Sequence, residues 1–135
     1  MLRIISLNLN GIRSAWGKNL LPWLQAQQAD IVCLQELKAQ LPDLSPEMRA
    51  PDGMHGFFHC AEKRGYSGVG LWSRAAPQAI VEGFDGGEFD AEGRYLRLDF
   101  GNLSVISLYL PSGSSSPERQ EAKFRFLDLF LPKMQ

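Results

Sequence analysis

Cysteine is scarce. Only Cys33 and Cys60 occur in 135 residues, too few for the stapled framework of a small secreted domain and at no spacing that suits a C-x-x-C metal pair. The two histidines, His55 and His59, stand four apart in a stretch rich in Gly and Pro, where no helix would bring them onto one face, which argues against a zinc pair. An excess of one charge is also missing. Lys plus Arg number 14 against 15 Asp plus Glu, a formal net charge of −1, so a polyanion would have to be held by a local basic patch. No apolar run approaches the ~18 residues that span a bilayer. Met1 leads straight into "LRIISLN" without a cationic leader or a small-residue cleavage site, and the expectation is a reduced, cytoplasmic protein with no membrane partner.

What is present reads as one globular domain over residues 1–135, long enough to bury roughly two thirds of the surface of its unfolded chain. The 13 Gly and 8 Pro imply many turns rather than long helices. In "LRIISLNLNG", Leu2, Ile4, Ser6, Asn8 and Asn10 share one face, Arg3, Ile5, Leu7 and Leu9 the other, and Gly11 ends the run, which predicts a first strand. Residues 18–28 predict a covering helix, with Asn19 as its cap and Pro22 in the first turn. The run "IVCLQELK" at 31–38 then predicts a strand buried on both faces. Strand, helix and strand favour two parallel neighbours joined by a right-handed crossover.

Pro42, Pro46, Pro51 and Gly53 forbid long elements in the next stretch. Five short β-rich runs follow, "GFFHCA", "GVGLWSR", "QAIVEGF", "RYLRLDF" and "LSVISLYLP", read as an antiparallel meander with a hairpin at Gly101-Asn102. A last helix is expected after the serine tract, capped by Ser115 or Ser116, with Pro117 in its first turn and Glu118 placed for a capping box with Ser115, and carrying Lys123, Phe126, Leu127 and Phe130 as its stripe.

Three polar residues stand where strands end. Asn8 and Asn10 close the first strand and Glu36 the second, and ligand sites of α/β sheets gather outside the carboxyl ends of strands. One carboxylate with amide oxygens suits Mg²⁺, which keeps several waters. On spacing alone the plainer alternative stands beside it: Glu36 as a solvated strand end and Asn10-Gly11 as a turn. Tyr109 follows Val105 and Ser107 on one strand face, and its phenol is placed either to stabilise a phosphoryl oxygen or simply to sit at the sheet rim. Lys63, Arg64 and Tyr66 form a basic, aromatic loop suited to phosphates or to solvent, and Arg13 and Lys18 read in the same two ways.

In order, "LNLNGIRSA", "DIVCLQELK", "KRGYSGVGLWSR", "EFDAEGRYLRLDF" and "VISLYLPSGSSSPERQ" closely resemble the exonuclease III type of apurinic/apyrimidinic endonuclease, bacterial members above all. The resemblance implies a four-layered α/β sandwich, a mixed sheet with covering helices. It also implies Mg²⁺-dependent hydrolysis of double-stranded DNA 5′ to an abasic site, with 3′→5′ exonuclease activity and with Mn²⁺ as a substitute metal. By motif match Glu36 is the metal ligand, Asn8 and Asn10 belong to the metal and phosphate network, and Tyr109 is the active-site tyrosine. Arg94 lies near that site, and Arg13, Gly65, Tyr66 and Ser112 face the DNA backbone with Lys63 and Arg64.

The family's later Gly-Asp-x-Asn and Ser-Asp-His segments, which position the attacking water and supply the catalytic His, do not occur in this sequence. The chain therefore resembles the N-terminal portion of such a domain, about half of the sandwich. Two readings follow: half of an enzyme, incompetent alone, or a truncated non-catalytic product with at most weak DNA or metal binding. A relative acting on phosphoinositides or sphingomyelin fits less well, because "GYSGVGL" and "LYLPSGSSS" match the DNA-repair branch. Half a sandwich is expected to bare Val105, Ile106 and Leu108, and so to self-associate or to bind a chain supplying the other half.

Overall fold

The computed structural model describes residues 1–112 and 116–134. The opening strand β1 (Ile4–Asn8) leads through helices α1 (Ile12–Gly17) and α2 (Leu20–Gln27) into β2 (Ile31–Gln35). As the strand-helix-strand pattern predicts, β1 and β2 run parallel, from Ile4 opposite Ile31 to Asn8 opposite Gln35. The helical segment differs in detail. It is two helices rather than one, because Ile12, Ala15 and Trp16 repeat at helical spacing and set Ile12 wholly inside. Asn19 does precede α2, but in the left-handed region (φ 69°) and without a side-chain cap.

Short turns at Leu41–Asp43 and Pro51–Gly53 flank the four-residue helix α3 (Pro46–Arg49), whose first turn is capped by Ser45 Oγ accepting from Met48 N at 3.2 Å. The proline-rich stretch therefore holds only brief elements, as expected. Strands β3 (His55–His59), β4 (Val69–Ser73), β5 (Ala79–Glu82), β6 (Tyr95–Phe100) and β7 (Leu103–Leu108) follow. They do not form one meander. β3 and β4 join the first sheet, in the order β1-β2-β4-β3, and only β5-β6-β7 make the meander of a second sheet. The Gly101-Asn102 hairpin is present, with Phe100 opposite Leu103 and Gly101 at φ 60°.

Strand β2 explains why its run is apolar throughout. Val32 and Leu34 pack towards the helices with Ile12, Leu24 and Trp72, while Ile31 and Cys33 pack towards the second sheet with Leu71, Leu96, Leu98 and Val105. Each such fully buried aliphatic side chain stabilises the fold by roughly 1.5–3 kcal/mol relative to exposure. On the far face of the second sheet lies α4 (Pro117–Phe130), whose Phe126 and Phe130 contact Phe84 and Tyr95 ring to ring. Its N-cap is Ser116, accepting from Arg119 N at 3.1 Å, while Ser115, the other cap considered, lies outside the described residues.

The order of layers is thus helices, sheet, sheet, helix, an α/β sandwich. This corrects the expected exposure. Both facing sheets are within this chain, so Val105 is 7% exposed between them and Ile106 and Leu108 are half-buried.

Candidate active site

The parallel ladder continues past the strand ends: Gly11 N donates to Glu36 O at 2.8 Å and Ile12 N to Leu37 O at 2.9 Å. Glu36 and Lys38 both take up left-handed backbone, φ 54° and 50°, with buried Leu37 between them. Non-glycine residues adopt this region at a cost of order 1 kcal/mol each and keep it only where the surroundings fix it. Here the fixing is backbone pairing with the loop at 61–68, Leu37 N to Gly68 O and Lys38 N to Ser67 O. Glu36 is thereby lifted out of the β2 alternation and half-exposed at the sheet rim.

Tyr109, one residue past β7, meets Glu36 there. Its hydroxyl donates to Glu36 Oε1. Burial first, then the hydrogen bond and the charge of Glu36, push the phenol up to about 12, against the opposing pull of Arg94. At neutral pH Tyr109 is therefore a proton donor. Among the described residues Glu36 forms no ion pair with Lys or Arg.

Arg94 is 2% exposed and each of its three guanidinium nitrogens has a protein partner. Nε donates to Glu92 Oε1 at 2.8 Å, Nη1 to Tyr109 O at 3.1 Å and Nη2 to Tyr66 OH at 2.9 Å. Its carbon lies 5.1 Å from the Tyr109 ring centroid and 5.8 Å from that of Tyr66, within cation–π range. The placement depends on Gly93, at φ 60°, where a Cβ would come within 2.5 Å of His59 O.

A cavity of about 360 Å³ opens over these groups, lined by Glu36, Lys38, Gly65, Tyr66, Ser67, Arg94, Tyr109, Ser112 and Arg119. It gathers most of the residues expected at the site. Lys63 and Arg64 are exposed on the same loop as Tyr66, Lys63 with its Nζ 5.1 Å from the Tyr66 ring centroid. Arg13 is exposed on α1 and donates to Lys38 O at 3.1 Å.

Asn8 and Asn10 sit in a neighbouring cavity of about 340 Å³ with Lys18 and Trp23. They do not share a face, because β1 ends at Asn8 and Asn10 turns to φ 47°. Asn8 Oδ1 accepts from Asn10 N at 3.0 Å, and Asn10 Oδ1 accepts from Lys38 Nζ at 2.6 Å. Lys38 is thus the link between the two cavities, a role that the sequence reading missed although the residue stands two places after Glu36. It also missed Glu92 and Arg119, which ion-pair at 3.9 Å. The spacing Glu-Gly-Arg was the available sign for Glu92, since a glycine turn lets residues two apart fold back on each other.

Among the described residues no three of His, Cys, Asp and Glu form a group suited to a metal ion. The one carboxylate lining the main cavity is Glu36, and the Asn8 amide lines the neighbouring cavity, where it accepts from Asn10 N. That suits a hard cation that keeps most of its water and does not suit a closed protein cage. Elsewhere Cys33 is buried, which pushes its thiol up to about 11. His59 Nδ1 lies 2.9 Å from Tyr95 O, with His55 at the other end of β3. No helix among the described residues is long and apolar enough to cross a membrane.

Comparison with known proteins gives the family. An exodeoxyribonuclease of Bacillus subtilis is 35% identical over 133 residues, covering 96% of this chain and 51% of the relative. Exodeoxyribonuclease III of Haemophilus influenzae is 33% identical over 138 residues, covering 99% and 50%. The solved AP endonuclease from Archaeoglobus fulgidus is similar with a TM-score of 0.82 at 30% identity, covering 96% of this chain and 49% of its own. The chain spans about half the length of the curated relatives it matches. The model of the endonuclease/exonuclease/phosphatase family matches residues 5–134, nearly the whole sequence, and the chain belongs to that family.

Proposed function

We propose that this chain is the N-terminal portion of a Mg²⁺-dependent DNA-repair phosphodiesterase that cuts double-stranded DNA 5′ to abasic sites and trims 3′ ends, acting in the cytoplasm. The observation that carries the reading is the Glu36–Tyr109 pair, a carboxylate without a cationic partner among the described residues beside a protonated phenol, in a cavity that Lys38 and Arg119 also line. Bound Mg²⁺ would neutralise phosphate charge, with Mn²⁺ as its substitute, and Glu36 would hold it with Asn8 in the same network. Tyr109 would donate to a phosphoryl oxygen, the preorganised donor that phosphoryl chemistry requires. Asn10 would support the lysine beside the phosphate. Arg13, Lys63, Arg64, Gly65, Tyr66 and Ser112 would follow the DNA backbone, with Arg94 behind them.

Among the described residues none that lines the cavity is assigned as the general base for water, and absence of a general base typically lowers a rate ~10²–10⁴-fold. The expected result is therefore salt-sensitive binding of an abasic duplex by the 135-residue chain, with Mg²⁺-dependent incision far below that of a full-length relative. Tyr66→Ala and Arg64→Ala should each weaken that binding without loss of fold. Binding indifferent to salt and to both substitutions would refute the DNA reading, because each neutralised phosphate releases counterions. Incision at the rate of a full-length relative would refute the incompetence of the chain.

A further inference from the structure

Glu92 belongs to none of the roles assigned so far, yet its carboxylate stands where three elements meet. Oε1 accepts from Arg94 Nε at 2.8 Å, Oε2 lies 3.4 Å from the Tyr66 hydroxyl, and Arg119 of α4 approaches Oε1 at 3.9 Å. The side chain is only 20% exposed. Backbone bonding supports the same junction, since Glu62 N donates to Ala91 O at 2.8 Å and ties the loop at 61–68 to the one that carries Glu92.

We infer that Glu92 is a positioning residue, which holds Arg94, Tyr66 and Arg119 in one arrangement and through Arg94 sets Tyr109 against Glu36. This rests on the phosphodiesterase reading above for its functional meaning. The physical reason is charge. A guanidinium as buried as Arg94 requires an anion, and an uncompensated buried charge is strongly destabilising. Glu92 supplies that anion, and Glu36 is a second carboxylate lining the same cavity as Arg94. With Glu92 in place the fork of Arg94 is filled by Glu92, Tyr66 and the Tyr109 carbonyl, and Glu36 stays clear of it. Without Glu92 the guanidinium turns to Glu36, competes with Tyr109, and the Tyr66 hydroxyl loses its second partner.

The sign of one measurement separates this from bulk electrostatics. Removing an anion beside a DNA-facing loop should tighten duplex binding if charge alone matters. Positioning demands the opposite: Glu92→Gln should weaken binding of an abasic duplex ~10-fold, the scale of one charge-assisted hydrogen bond, and Glu92→Asp should restore most of it. Equal or tighter binding by Glu92→Gln overturns the inference. A second arm needs no DNA. The sequence has three tyrosines, so ¹³C labelling of the ring Cζ gives one signal for each. Glu92→Gln should move the signal of Tyr109, which Glu92 does not touch, along with that of Tyr66. If that variant fails to fold, Tyr66→Phe, which deletes only the hydroxyl shared by Arg94 and Glu92, should move the Tyr109 signal instead. An unmoved Tyr109 signal in the folded variant overturns the inference. Should the unsubstituted chain bind no duplex, the phosphodiesterase reading fails by itself, and the ring-carbon arm decides the role of Glu92.

Discussion

At Tyr109 one residue joins parts of the molecule distant in sequence, since its side-chain hydroxyl donates to Glu36 and its backbone amide to Arg94 O. The raised phenol has a measurable consequence. In the unfolded chain the group titrates near the usual 10.0 and in the folded chain at about 12. Below both values it is protonated in each state and its contribution is fully present. Between them the unfolded chain has released the proton and the folded one has not, so stability falls as pH rises through that window. Tyr109→Phe should remove this part of the alkaline loss, seen as a shallower decline of urea midpoint between about pH 10 and 12 than in the unsubstituted chain. An unchanged decline would show that the phenol is not held as described. Glu36 and Tyr109 were legible in the sequence because each stands at the end of a strongly patterned strand. Glu92 and Arg119 were not, because their meeting depends on how a turn and a helix N-terminus stack, which no periodicity records.

Among elements, those with an unambiguous pattern are the ones that the sequence reveals. β2 declares itself by four buried residues in a row, and the hairpin of β6 and β7 by Gly-Asn between alternating strands. The assignment of β3 and β4 to a sheet is a different kind of fact. The alternation of each run is compatible with either arrangement, and the choice between them lies in long-range pairing, β4 against β2. α1 escaped notice because its six residues carry too few turns for a period to emerge. The loop before β6 depends on one residue, Gly93, packed against the end of β3. Gly93→Ala places a methyl 2.5 Å from His59 O at a left-handed φ. The expected destabilisation is about 2–4 kcal/mol, from strain and overpacking together. Chemical denaturation measures it, and a change below 0.5 kcal/mol, the scale of a neutral surface substitution, would contradict the packing described.

For the molecule as a whole, the decisive feature is that both sheets end on open strands. Among the described residues β1 pairs only with β2 and β7 only with β6. Leu2 and Ile4 are 52% and 44% exposed near β1, and Leu103 37% on β7. Unpaired edges with apolar neighbours invite another chain. The expected outcome is concentration-dependent association in sedimentation, relieved by adding the part of the Bacillus subtilis relative that this chain does not match. A strictly monomeric chain indifferent to that polypeptide would count against it.

β2 occupies the opposite position, with a neighbour on each side in its own sheet and packed side chains above and below. Exchange of its amide protons with solvent deuterium therefore requires most of the molecule to open, whereas the outward-facing amides of β1 and β7 need only local fraying. The Val32, Cys33 and Leu34 amides should be among the last to take up deuterium, at a rate that tracks global unfolding as urea is added. The midstrand of β2 is in this sense a clock for the whole chain, and a partner seated on the open edges would slow the edge amides of β1 and β7 first.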